Sequence, residues 1–185
     1  MSNSSNWSNS KNPGGYKNLV VYQLAVVIFD LNDLFVKRYI DPRSRTKDQM
    51  EQAGRSGKQN IVEGSLIKSL EGNIKLTGVS RGSFGELLED YEDFLRTREL
   101  SLWDKNDPRV REIRAIRISP DSTNLTNWTN WTNSPESFAN LLITLINLEN
   151  YLLDRLLKSL EEKFISEGGF RENLFKKRLE RRNQK

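Results

Sequence analysis

The sequence predicts an all-α chain, on three observations. Five prolines, Pro13, Pro42, Pro108, Pro120 and Pro135, leave long segments between them. In those segments the apolar residues recur every three or four positions, the spacing of one helical face, rather than every second position as in a half-buried strand. Residue types that cap helices stand where those segments begin and end.

The first helix is expected over residues 17–39, with Tyr22, Ala25, Val26, Phe29 and Val36 on one stripe and Asp41-Pro42 closing it. A second opens at Thr46, where Thr-Lys-Asp-Gln has the form of a capping box with Gln49, and ends near Lys68. A third begins between Ser69 and Asn73 and stops near Trp103. It turns Phe84, Leu87, Leu88, Tyr91, Phe94 and Leu95 toward a core. A short basic helix over 107–117 starts with Asp-Pro. Residues 121–133, DSTNLTNWTNWTN, have a period of three and the composition of a weakly ordered loop, like the SNSSNWSNS of the amino terminus. A long helix then starts at Pro135 behind a Ser134 cap. It carries Phe138, Leu141, Leu145, Leu148, Leu152, Leu156, Leu160 and Phe164 on one stripe and Leu142, Ile146, Leu153 and Leu157 on a second. Gly168-Gly169 ends it, and a last basic helix follows with Phe170, Leu174, Phe175 and Leu179 on its apolar side. The organisation read from this is a disordered Asn/Ser-rich tail over 1–15, three helices and a short basic helix over 16–118, an Asn/Thr/Trp loop over 119–134, and the long and basic helices over 135–185.

Composition narrows the chemistry. The 185 residues include no cysteine and no histidine, which removes thiolate nucleophiles, zinc-thiolate sites, the usual general base and the commonest metal ligand. No cofactor is expected. The remaining metal-binding candidates are the carboxylate pairs Glu86/Asp90 and Glu89/Asp93, but bundle metal sites of that kind need Glu-x-x-His pairs. The most apolar run, residues 19–31, is broken by Gln23 and Asp30 and falls short of the ~20 residues that span a bilayer. The start of the chain has neither the basic nor the apolar region of a secretory signal, so a cytoplasmic address is expected. For the same reason the NWT and NWS triplets, which match the N-glycosylation acceptor, are read as a local expansion.

The formal charge of +4 is unevenly distributed. Residues 169–185 carry seven Lys/Arg against Glu172 and Glu180, a net +5. Residues 105–117 carry five against Asp107 and Glu112, a net +3, whereas ELLEDYED from Glu86 to Asp93 is strongly acidic. Such polarisation suits an anionic partner at one end.

The segment GRSGKQNIVEG, residues 54–64, tests whether a phosphate loop is present. A G-x-x-x-x-G-K-[ST] motif would need glycine at Gln52 and a hydroxyl at Gln59, and no strand precedes it. On a helix, Gly54, Gly57, Ile61 and Gly64 share one face, while Arg55, Lys58, Gln59, Val62 and Leu66 share the opposite one. The third helix has its own strip at Gly78, Gly82 and Gly85. With a turn near Glu71, Gly64 would face Gly78 and Gly57 would face Gly85, a close seam between two backbones. Asn60 beside the strip is expected to be a core amide bonded to a neighbouring helix.

These residues also carry a resemblance. RTKDQMEQAGRSGKQNIVEGS and IKLTGVSRGSFGELLEDYEDFLRTREL resemble the second and third helices of the bacterial four-helix-bundle family that includes the ribosomal RNA intervening-sequence protein. The Asn60-Ile61-x-Glu63-Gly64 core and the Gly82-Ser83-x-x-Glu86-Leu87 step are its specific parts. FANLLITLINLENYLLDRLLKSLEEKFISEGGFRENLFKKRLERR is similar to the branch that adds a carboxy-terminal suffix. Val62, where a small alanine is more typical, and Gly85 depart from the pattern. The resemblance implies an antiparallel up-and-down four-helix bundle with an extra basic C-terminal helix. It also implies assembly into a homo-oligomeric ring, often a pentamer, with a basic surface that contacts nucleic acid or a nucleic-acid enzyme, and no catalytic residue.

The function expected is therefore a non-enzymatic oligomeric scaffold that binds RNA or DNA, or a nucleic-acid-associated protein, through its basic helices. Arg171, Lys176, Lys177, Arg178, Arg181 and Arg182 are the first candidates for phosphate contact. Arg109, Arg111, Arg114 and Arg117 come second, and Arg55 and Lys58 are available on the outer face of the second helix. The alternative is a protein-interaction adaptor whose acidic and basic faces serve self-assembly without nucleic acid. Trp128 and Trp131 are further candidates as stacking platforms.

Overall fold

A computed structural model of the chain describes residues 15–119 and 125–183. The tail expected over 1–15 lies outside them apart from Gly15, as do residues 120–124 of the low-complexity segment. The described residues are all-helical and contain no strand. In order they form a 3-10 turn (Gly15–Asn18), α1 (Val20–Tyr39), α2 (Arg45–Leu66), α3 (Leu70–Thr97), α4 (Pro108–Ala115), a second 3-10 turn (Leu125–Trp131), α5 (Pro135–Glu167) and α6 (Phe170–Asn183). None of the helices is long and apolar enough to cross a membrane.

Each boundary has a local chemical cause. Ser44 caps α2, its Oγ accepting from the Thr46 amide at 3.1 Å. The cap thus lies two residues before the expected capping box, because Ser44 is itself a good cap and leaves Thr46 inside the first turn. Ser69 caps α3 through the Gly72 amide, Asp107 caps α4 through Arg109, and Ser134 caps α5 through Ser137. α3 stops at Thr97, short of the expected Trp103, where Glu99 turns into the left-handed region at φ 56°. Gly168 ends α5 at φ 77°, a conformation in which a side chain would be strained, and its amide donates to the Phe164 carbonyl at 2.9 Å.

The long helices pack α1 on α2, α2 on α3, α3 on α5 and α5 on α1. α1 is apolar on most of its surface, so its sequence did not fix which stripe is innermost. Val21, Leu24, Val27, Ile28, Leu31 and Phe35 are fully buried, whereas Tyr22, Val26 and Phe29 of the expected stripe are half-buried. The innermost face is the one between α2 and α5. Phe35 packs its ring against Tyr91, Phe94 and Phe138 at centroid distances of 4.9, 4.8 and 5.3 Å. Beside this cluster, Asn32 donates to the Met50 carbonyl at 3.0 Å and accepts from the Tyr91 hydroxyl at 2.7 Å. Three helices are thereby joined through buried polar atoms that are fully paired. Burial pushes the Tyr91 hydroxyl well above its ordinary value, so it remains a donor.

The glycine seam forms on one helix only. Gly54, Gly57 and Gly64 of α2 are buried, and a Cβ at Gly57 would lie 2.7 Å from the Phe84 ring. The Ser80 hydroxyl donates to the Gly57 carbonyl at 2.7 Å. Gly78 and Gly82 of α3 are exposed, and a Cβ at either would have no neighbour within 4 Å, while one at Gly85 would meet only the Arg81 guanidinium at 3.7 Å. The inward stripe of α3 is Thr77, Ser80, Phe84, Leu87, Tyr91 and Phe94, which rotates the glycines off the contact. Asn60 bonds within its own helix, donating to the Ser56 carbonyl at 2.8 Å and hydroxyl at 3.1 Å, rather than to a neighbour.

The Asn/Thr/Trp segment also packs. A period of three has no face on an α-helix, but it is the repeat of a 3-10 helix, where residues i and i+3 eclipse. Residues 125–131 adopt that form and place Trp128 and Trp131 on one side. Trp128 is fully buried.

Candidate nucleic-acid interface

The basic residues separate into two groups at opposite ends of α5. The 33 residues of α5 make it about 50 Å long. α4 packs on α5, and the connector leading to α4 is held at its first turns, whereas α6 follows its last turn. The two basic segments expected from sequence therefore do not merge into one patch.

At the far end, α6 has no buried residue. Its direction is set by Gly168 and by the Glu172 carboxylate, which accepts from the Gly169 amide at 3.0 Å in half of a capping box. Arg171, Lys176, Lys177, Arg178, Arg181 and Arg182 are all exposed, and none forms an ion pair among the described residues. Phe170, Leu174 and Phe175 of its apolar side are also exposed, while Leu179 is half-buried.

At the near end, the stretch from Ser101 to Trp103 of the α3–α4 connector is anchored on α5. The buried Asn140 accepts from the Trp103 amide at 2.8 Å and donates to the Ser101 carbonyl at 2.8 Å and the Glu136 carbonyl at 2.9 Å. The Glu136 carboxylate accepts from the Ser101 amide at 3.2 Å. This fixes Trp103, whose ring meets Trp131 edge-on at 6.2 Å and carries the Arg109 guanidinium over its other surface at 3.8 Å. Asp107 clamps that guanidinium through its Nε and Nη2 at 3.0 and 2.8 Å. The clamp holds the Asp107 carboxyl below its ordinary range. Arg111 folds back onto the Asn106 carbonyl, and Arg114 and Arg117 are exposed. Nothing in the periodicity of the sequence marked Trp103 or Asn140. The available signal was a tryptophan isolated in a charged connector.

On α2, Arg55 is exposed as expected, but Lys58 is not. Its ammonium sits 3.4 Å from the centre of the Phe29 ring, and burial pushes its pKa down against the opposing pull of Asp30. Half-buried, with desolvation working against its charge, this ammonium is poorly placed for phosphate. The α2/α3 flank is acidic, with a groove of about 920 Å³ lined by Asp48, Gln52, Ser83, Glu86, Glu89 and Asp90. Burial, then the neighbours Asp93 and Glu86, raise Asp90, and burial with Glu89 and Asp93 raises Glu92. Among the described residues no group of three or more carboxylates is arranged to hold a metal ion. The acidic flank would repel a polyanion.

Compared with family models, curated proteins and solved structures, the chain matches none.

Proposed function

We propose that the chain is a non-enzymatic, homo-oligomeric scaffold in the cytoplasm that binds nucleic acid, or a nucleic-acid enzyme, through its basic helices. α1, α2, α3 and α5 form an antiparallel up-and-down bundle in this reading. Its support is the order of contacts: Asn32 meets Met50 while Phe29 meets Lys58, and Ser80 meets Gly57 while Ser83 meets Ser56. Along these two neighbouring pairs, α1 with α2 and α2 with α3, one number rises as the other falls. That arrangement agrees with membership of the intervening-sequence protein type and with a ring, five subunits being the family's frequent number.

The observation that carries the functional reading is α6, fourteen residues long, with six exposed arginines and lysines and no buried residue. A helix of that charge gains mainly by releasing counterions from phosphates. Purification at low salt tests the reading through native mass together with the ultraviolet ratio that reports bound nucleic acid. An oligomer carrying nucleic acid is expected, and a monomer free of it contradicts the reading.

A second reading has its own observation. Glu86, Glu89, Asp90 and Glu92 also lack ion-pair partners among the described residues. α6 of one subunit laid on that flank of the next would make a self-assembling adaptor. An assembly that dissociates at high salt and carries no nucleic acid at low salt selects this second reading.

A further inference from the structure

At the α4 end a pocket of about 520 Å³ opens between the α3–α4 connector and the start of α5. Its volume lies in the range of sites that enclose small planar ligands. Trp103, Trp131, Arg109, Asn130, Glu136 and Ser137 are among the residues that line it. Trp131 is half-buried, so part of its ring remains open to a ligand, whereas Trp128 on the same 3-10 turn is spent in the core. The Arg109 guanidinium is already fixed by Asp107, and its Nη1 has no hydrogen-bond partner among the described residues.

We infer that this pocket receives one unstacked base of a single-stranded nucleic acid, with the base against Trp131 and the adjoining phosphate on Arg109. The inference rests on the nucleic-acid reading above and adds a second, separate site to the α6 surface. Aromatic rings stack on any base, and a preset arginine binds phosphate without losing freedom it would otherwise have. The Glu136 carboxylate and the Asn130 amide supply the polar rim. A carboxylate accepts from an exocyclic amino group, which favours cytosine or adenine over uracil or thymine. Arg111 and Arg114 extend the path along the exposed face of α4, with Arg117 just beyond its end.

The test uses the full chain and short oligo-cytidine, oligo-uridine and oligo-deoxycytidine strands, followed by tryptophan fluorescence and mobility shift. Wild type should bind oligo-cytidine more tightly than oligo-uridine, with quenching, and comparison with the deoxy strand separates RNA from DNA. Trp131→Leu should weaken binding at least about fivefold, while Trp131→Phe keeps most of the affinity; both remove the Trp131 indole and with it most of the quenching. Arg109→Gln, which leaves the aromatic wall in place, should weaken binding with quenching retained at saturation. Unchanged affinity in both Trp131→Leu and Arg109→Gln overturns the pocket, and loss of binding on neutralising α6 in the same experiment shows the α6 reading standing without it. Trp131-dependent binding that ignores α6 charge supports the pocket and removes α6. Absence of binding to all three strands overturns both.

Discussion

Glu149 provides a sharp test of how dry the core is. It is fully buried on α5, and neither carboxylate oxygen has a hydrogen-bond partner among the described residues. Desolvation alone raises its pKa well above the ordinary 4.5, with no charged neighbour contributing. Below about pH 4.5 the carboxyl is protonated in folded and unfolded chains alike and its titration has no effect on stability. Above that, the unfolded chain releases the proton while the folded chain retains it, so stability falls as pH rises until the folded carboxyl also titrates. The slope is about 1.4 kcal/mol per pH unit. Glu149→Gln keeps the shape and removes the proton. The variant should match wild type in acid and then gain on it by roughly 3–6 °C in Tm per pH unit above 4.5. Melting curves of both proteins stepped from acid to neutral pH read this directly. A difference that does not change with pH would mean that the carboxylate is paired or hydrated, and would refute the reasoning.

Four further outcomes follow from packing and hydrogen bonding. Gly57→Ala places a methyl 2.7 Å from the Phe84 ring and should destabilise by about 1–3 kcal/mol. Gly82→Ala meets nothing within 4 Å and should stabilise by up to about 1 kcal/mol, both read by urea titration. Trp128→Ala should lower stability by about 3–5 kcal/mol, because the ring is fully buried, and a change below about 1 kcal/mol would return the segment to the status of a tolerant loop. Tyr91→Phe leaves the Asn32 oxygen buried and unpaired and should destabilise by about 1–3 kcal/mol in the same titration.

Much of the fold was legible because helix ends are written in single residues. Ser134-Pro135 and Gly168 mark both ends of α5 without reference to anything distant. The innermost face of α1 was not legible, since a helix apolar on most sides is oriented only by what packs against it. α3 contained a signal that was open to a better reading. Extending its stripe of Tyr91, Leu87 and Phe84 backwards reaches Ser80 and Thr77, and those small residues, not Gly78 and Gly82, face α2. The tryptophan segment has no face on an α-helix, because its period of three is that of the 3-10 form it adopts.

The candidate site was legible as charge but not as place. Counting lysines and arginines found α4 and α6, but the length of α5 that separates them belongs to the fold. Lys58 lay on the expected outer face, yet its reach to Phe29 depends on a neighbouring helix that a single-helix projection omits.

The salt dependence of oligonucleotide binding tests the nucleic-acid reading most directly. Wild type should bind at low salt, with log affinity falling linearly against log salt concentration. Changing Lys176, Lys177, Arg178 and Arg181 to Gln should flatten that slope by about 0.7 for each lost phosphate contact on a single strand. No binding at low salt, or a slope unchanged by the four substitutions, would contradict the assignment of α6 as the phosphate-binding surface.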